Sequence, residues 1–451
     1  MSQLMKRFRE EKEERRRIEQ EVNSEDMRAT PEEASIVLGI LREISNRYRD
    51  QIANAGLVIP PELRVQIKKT IGETAQRLDL DYETQKRVER LAMTNIIGLG
   101  PITPYMDDPE VTEIVVQRWN NIVIERKGRI EKVNAAFMSE DHLRNIIGRI
   151  VQPVGRAINI QTPMVDARLV DGSRVNATIP PVSPDGATLT IRKFSKDALS
   201  GDDYIRLGTL TPDMLTFLSK CVEGKISLIC SGGTNTGKTT LLNMLSSYIP
   251  DDELIITVED SCELNLHQPN VRRMETRTSG ASNQGESVNS VTIQDLVRNA
   301  LRMRPDRLIV GEIRDHTIVD MMSAMSTGHE GSMSTVHANS PYNLVTSRMP
   351  ILYGMNTKMT FSEVAQAIQI TEALQLIVQL EHLKSGKRVI SNITEVVGLD
   401  DRDRIILKDI FVYNVEKQCH EATGYIPEKI LEKIRSKGVI LTNDLFEKKK
   451  D

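Results

Sequence analysis

The chain has 451 residues, enough for two or three cores, with 39% hydrophobic and 27% charged side chains and a net charge of −4. That balance excludes a general attraction to nucleic acid or anionic lipid, so no nucleic-acid partner is expected. Cys221, Cys230, Cys262 and Cys419 lie far apart with no CxxC pair, which excludes a zinc knuckle or a disulfide-stapled secreted domain and fits a reducing cytoplasm. The opening "MSQLMKRFREEKEERRRIEQ" has no apolar signal core, and no apolar run approaches the roughly 20 residues that span a bilayer. Without a transmembrane segment, the expected location is cytoplasmic, with any membrane contact made by peripheral docking.

Residues 1–23 are nearly all charged, with mixed sign, and read as a solvated helix or tail. Helical spacing of apolar residues follows in "PEEASIVLGILREISNRYRDQIA", "PELRVQIKKTIGETAQRL" and "YETQKRVERLAMTNIIG", so residues 1–100 are expected to be a charged tail and a helical bundle. The pattern then changes to short β-branched runs, "EIVVQ", "NIVIERKGRI", "ARLVDGSRVNATIP" and "ATLTIRKF", interrupted by the helical "EDHLRNIIGRIVQPVG". These predict a smaller α/β domain over 101–200. "SGDDYIRLGTLTP" reads as a linker. Over 201–451, the strands "KISLIC", "ELIITVED", "RLIVGE" and "GSMSTVHA" alternate with helical segments, the rhythm of a mainly parallel sheet covered by helices.

"KISLIC" runs directly into "SGGTNTGKTTLLNML". Gly232, Gly237, Lys238 and Thr239 fill the G-x-x-x-x-G-K-[ST] pattern, with strand before and helix after, as a phosphate cradle requires. Glycines let the backbone N–H groups face the phosphates, and the helix aims its positive end at them. Gly232, Gly233, Thr234, Asn235, Thr236, Gly237, Lys238, Thr239 and Thr240 are therefore the candidate ATP-binding residues, with Lys238 on the β and γ phosphates and Thr239 on Mg²⁺.

Three further elements fall at strand carboxyl ends, where such a sheet collects its chemistry. "IITVED" ends in Glu259 and Asp260, and a carboxylate there can polarise an attacking water. "DRLIVGEIRD" delivers Glu312, suited to the Mg²⁺ shell, in place of the Asp usual in P-loop enzymes. Either glutamate can be the general base. The helix before that strand begins at Thr292 with the capping-box form "TIQD" and ends near Arg302 and Arg304, cations that either serve the site or balance the helix end. In "TGHEGSMSTVHANS", His329 and His337 stand among small residues. His337 at the strand tip can donate to a γ-phosphate oxygen as a sensor, while His329 suits a structural role equally well. Eight residues apart and with no Cys companion, the pair is a poor zinc site.

In this order, "SGGTNTGKTT", "TVED", "RNALRMRPDRLIVGEIRD" and "GHEGSMSTVHANS" resemble the type II/type IV secretion traffic ATPases. With "LGLGPITPYMDDPEVTEIVV", "PMVDARLVDGSRVNATIPP" and "ITEVVGLDDRDRIILKDIFVYNV", the chain looks like the branch that powers assembly of Flp (Tad) pili. The resemblance runs from about residue 80 to 446. It implies a RecA-like P-loop motor domain preceded by a smaller α/β domain, a homohexameric ring, and ATP with Mg²⁺ held between the domains. It makes "TVED" the family's Asp box, Glu312 its Walker B carboxylate and "GHEGSMSTVHANS" its His box. It also implies phosphate-reaching arginines in the N-terminal domain, matched here by Arg174 and Arg192, with Arg168 a third candidate. The implied partners are inner-membrane pilus platform proteins and, indirectly, pilin subunits. The cysteines do not form the four-cysteine module of many type II secretion members, which favours the pilus branch. The rival expectations are a conjugation-type or other RecA-like nucleic-acid motor, a small-molecule kinase and a nucleotide-gated scaffold. A basic channel would mark the first and a substrate lid the second; turnover would separate the third.

Overall fold

A computed structural model of the chain describes residues 27–448 other than 50, 53–58, 127, 170, 195–198, 278–279, 282–286, 289 and 357–360. The charged tail over 1–23 lies outside the described residues. The chain divides into two units, Met1–Ser195 and Lys196–Asp451.

In the first unit, helices span Pro31–Arg47, Pro61–Gln76 and Tyr82–Ile97. The first starts where Thr30 and Glu33 form a capping box, each side chain accepting the other's backbone N–H, which satisfies two otherwise orphaned donors. Val37, Ile40 and Ile44 then recur on its buried face. Six antiparallel strands follow: β1 (Val111–Arg118), β2 (Asn121–Arg126), β3 (Arg129–Lys132), β4 (Met164–Arg168), β5 (Arg174–Thr178) and β6 (Thr188–Arg192), in the order β3-β2-β1-β6-β5-β4. One apolar core joins helices and sheet, running from Val37, Ile67 and Val88 to Ile114, Ile147 and Ile191. A polar tie reinforces it. Arg149, on helix Glu140–Val151, donates to the carbonyls of Asn95 and Ile96 at 2.8 Å each, satisfying the last turn of helix Tyr82–Ile97.

The second unit begins with a helix, Gly201–Arg206, in the segment expected to be a linker. Ser200 and Asp203 form a capping box there, so the Ser and Asp that read as loop residues are the helix start signal. Its sheet contains β7 (Leu228–Gly232), β8 (Ile255–Glu259), β9 (Val271–Glu275), β12 (Arg307–Ile313), β13 (Met333–His337), β14 (Leu376–His382), β15 (Arg388–Leu399), β16 (Ile405–Asn414) and β17 (Cys419–Ala422). A separate ribbon pairs β10 (Gly280–Ala281) with β11 (Ser287–Val288). Among the described residues the main order is β17-β16-β15-β14-β7-β13-β12-β8-β9. Strands β7, β8, β9, β12, β13 and β14 are parallel, and β15 to β17 extend the sheet antiparallel. The inner parallel strands β7, β8, β12 and β13 are buried along nearly their whole length between helices, whereas the edge strand β9 is mostly exposed.

At the amino end of β12, fully buried Arg307 meets Glu253 through Nε at 2.5 Å and Nη2 at 3.2 Å. Its remaining N–H groups donate to the Gly331 carbonyl at 3.1 Å and the Val222 carbonyl at 2.7 Å. One guanidinium thus ties β12 to the helix before β7 and to the loop before β13. Removing it leaves a largely buried carboxylate facing, among the described residues, only the more distant Lys225 Nζ at 3.5 Å, so Arg307→Met is expected to lower unfolding free energy by about 3 kcal/mol. Glu253→Gln added to it should restore part of that loss, as read from denaturant midpoints.

Candidate functional site

The loop leaving β7 is shaped by local geometry. A Cβ on Gly232 would stand 2.7 Å from the Leu380 carbonyl oxygen, so no side chain fits where β7 passes β14. Gly237 adopts φ 93° as it caps helix Lys238–Ser246, a conformation costly for other residues. Between them Thr236 is buried, its hydroxyl donating to the Gly233 carbonyl at 3.0 Å. Gly233 is partly buried, and Thr234 and Asn235 are exposed. Thr239 and Thr240 lie in the first helical turn.

Parallel register then assembles the charged groups. Gly232 of β7 pairs with His337 of β13, and Ile313 of β12 pairs with Val336, so the tips of three strands meet at one sheet edge. Lys238 is 7% exposed. Its Nζ donates to the Gly233 carbonyl at 2.7 Å and lies 3.4 Å from both ring nitrogens of His337. His337 Nε2 is 3.1 Å from Glu312 Oε1. Burial lowers the Lys238 pKa, and the Glu312 carboxylate opposes that shift. Burial and then the Lys238 charge lower the His337 pKa, again against Glu312.

Glu312 also engages a cation that the sequence analysis did not single out. Arg314 Nη2 donates to Glu312 Oε2 at 2.5 Å, and its Nη1 lies 3.4 Å from Asp260 Oδ2. Hydrogen bonding to Glu312 raises the Arg314 pKa. Only its spacing of two residues from Glu312 hinted at this role. The pair borders a cavity of about 350 Å³ lined by Asp260, Arg277, Thr292, Glu312, Arg314 and Asp315.

Glu259, at the end of β8, is 2% exposed. Its Oε1 accepts from the backbone N–H groups of Glu263 at 2.8 Å and Leu264 at 3.0 Å, while Oε2 has no hydrogen-bond partner among the described residues. Burial raises its pKa to about 7, against the pull of those two N–H groups. The stem packs beside the Glu312 strand, since a Cβ on Gly311 would meet Glu259 Cγ at 3.0 Å. A carboxyl group poised near neutrality with one oxygen unengaged is equipped to take a proton.

Other candidates are sorted by position. His329 lies before β13, at the opposite end of the strand from His337, and its Nδ1 donates to the Pro305 carbonyl at 2.9 Å. It is not brought to Lys238 and its role there is structural. Thr292 and Asp295 do form the capping box of helix Ile293–Leu301. Arg302 is that helix's C-cap, and Arg304 has φ 56° in the turn that follows. In the first unit, Arg168 of β4, Arg174 of β5 and Arg192 of β6 are direct register partners, with Glu113 of β1 next in the row. Paired positions in antiparallel strands share a face, so these three arginines form one cationic row.

Residues 96–423 match the family model described as Type II/IV secretion system protein. An uncharacterised protein of Methanocaldococcus jannaschii is 37% identical over 296 residues, covering 64% of this chain but only 40% of the relative's own length. Conjugal transfer protein TrbB of Rhizobium radiobacter is 29% identical over 289 residues, covering 63% of this chain and 83% of that protein. Protein VirB11 of Agrobacterium fabrum is 30% identical over 272 residues, covering 54% and 77%. The family match extends over well over half of the sequence and takes in the β7 loop, Glu259, Glu312 and His337; the chain belongs to the Type II/IV secretion system protein family.

Proposed function

We propose that this chain hydrolyses ATP to drive a Flp (Tad)-type pilus assembly or related secretion machine, as a homohexamer docked on inner-membrane platform proteins and acting indirectly on pilins. The observation that supports this most directly is the convergence of Lys238, His337 and Glu312 beside a loop of phosphate-cradle sequence. Among the described residues no helix is long and apolar enough to cross a membrane, which suits peripheral docking from the cytoplasmic side.

In this reading Lys238 exchanges its contacts with Gly233 and His337 for the β and γ phosphates of ATP. The Thr239 hydroxyl and Glu312 carboxylate are the hard oxygen donors that suit Mg²⁺, which would neutralise charge on the phosphate oxygens. Glu259, anchored through Oε1, accepts the proton of the attacking water at Oε2. His337 donates to a γ-phosphate oxygen and loses that contact once the phosphoryl group leaves, which makes it a sensor. Arg174 and Arg192 close on the phosphates and stabilise the transition-state charge. A second reading, a conjugation-type nucleic-acid motor, draws on the name of the TrbB relative. The net charge of −4 and an aromatic content of 4% favour the protein-moving alternative.

Three measurements test these assignments. ATP turnover by purified protein should rise when cytoplasmic loops of the platform partner are added and stay unchanged with single-stranded DNA. Lys238→Ala should abolish that turnover, and a wild-type rate with an intact fold would remove the site from this loop.

The second is a pH profile. A base must be deprotonated to act, so kcat/KM should climb about tenfold per unit as pH rises towards the Glu259 pKa of about 7 and level off above it. Glu259→Gln should erase the rise, whereas Glu312→Gln should bind ATP and hold it. A profile flat from about pH 5.5 to about pH 8 assigns the base elsewhere.

The third concerns the arginine row. Arg192→Ala should hydrolyse ATP at least about tenfold more slowly, roughly 1.4 kcal/mol or more in the barrier. Arg174→Ala should behave alike, and the double variant should be less than additive. Full turnover by a stable monomer in sedimentation experiments would refute ring closure.

A further inference from the structure

Arg388, the first residue of β15, reaches across to the apex of the phosphate loop. Its Nε donates to the Asn235 carbonyl at 3.0 Å and its Nη2 to Asn235 Oδ1 at 3.2 Å, a link between residues 153 positions apart. Asn235 has φ 59° and is exposed. Asparagine visits this left-handed region more readily than most residues, yet still prefers others. Next to it, a Cβ on Gly237 would stand 3.7 Å from Arg388 Cδ, so the arginine stem runs along the loop as well as gripping its tip. The strand behind Arg388 is itself fixed. Ile390 N donates to the Thr209 carbonyl at 2.9 Å, and the Ile390 carbonyl accepts from His420 Nε2 at 3.1 Å.

We propose that Arg388 is a positioning residue for nucleotide binding, bracing the phosphate loop from the antiparallel extension of the sheet so that its backbone N–H groups are aimed before nucleotide arrives. This rests on the reading of the loop as an ATP site. A loop that is already ordered loses less conformational freedom on binding. The brace acts through Asn235 on groups that face the phosphates, so its loss affects ATP and ADP alike.

The test uses the full chain, with ATP and ADP titrated calorimetrically and the thermal midpoint recorded without nucleotide. Arg388→Ala should raise both dissociation constants about tenfold, the scale of losing hydrogen bonds from a charged donor. Its midpoint should fall by no more than about 3 °C. Arg388→Lys, able to reach one acceptor instead of two, should fall between, and keeps the test open if the alanine variant does not fold. Asn235→Gly removes the bond to Oδ1 and keeps the one to the backbone carbonyl, so combined with Arg388→Ala it should be less than additive, because the Oδ1 bond is lost in both. Wild-type affinity in Arg388→Ala, or strict additivity in the double variant, overturns the brace. Lys238→Ala measured alongside separates the two ideas: if it binds ATP normally the site reading fails, and if it alone loses binding only the brace fails.

Discussion

Parallel pairing constrains this molecule more than any single contact, because parallel strands bring their carboxyl ends to one edge whatever the length of chain between them. Here β13 and β14 flank β7, and Gly232 is register partner to both His337 and Leu380. A slip of β13 by one residue would turn His337 to the other face of the sheet and place its neighbour against the loop. The close approach of Gly232 to the Leu380 carbonyl shows how little room that packing leaves.

The two ends of β12 divide stability from chemistry. At the amino end, Arg307 and Glu253 form a buried pair in which every nitrogen of the guanidinium has a partner. At the carboxyl end, Glu312 collects His337 on one oxygen and Arg314 on the other, and neither contact is as fully enclosed. Burial works in the same way on the groups around it. It lowers the pKa of Lys238 and His337 and raises that of Glu259, disfavouring the charged form of each.

The first unit uses a sheet for a different purpose. Its core is shared with the helices over 31–97, while one register row across β4, β5 and β6 carries three arginines. Glu113 of β1 is the next register position in that row.

What the sequence determined by itself was local. The phosphate-loop motif, the capping box at Thr292 and the apolar helix faces are written within a few adjacent residues, because hydrogen bonds between near neighbours and side-chain periodicity create them. Motif order also marked Glu259, Glu312 and His337 as groups at strand ends. Which of them touch was decided only by tertiary structure. His337 was expected at the strand tip, while His329 stood open between two roles until β13 separated the two along its length. The Ser and Asp that read as a linker turned out to cap a helix, since the same side chains serve turns and helix starts and only packing chooses. Arg307 and Arg388 carried no distinguishing local signal, and Arg314 only its spacing from Glu312. An arginine's role is set by the carboxylate or carbonyl that folding brings within about 3 Å, and for Arg388 that partner lies 153 positions away.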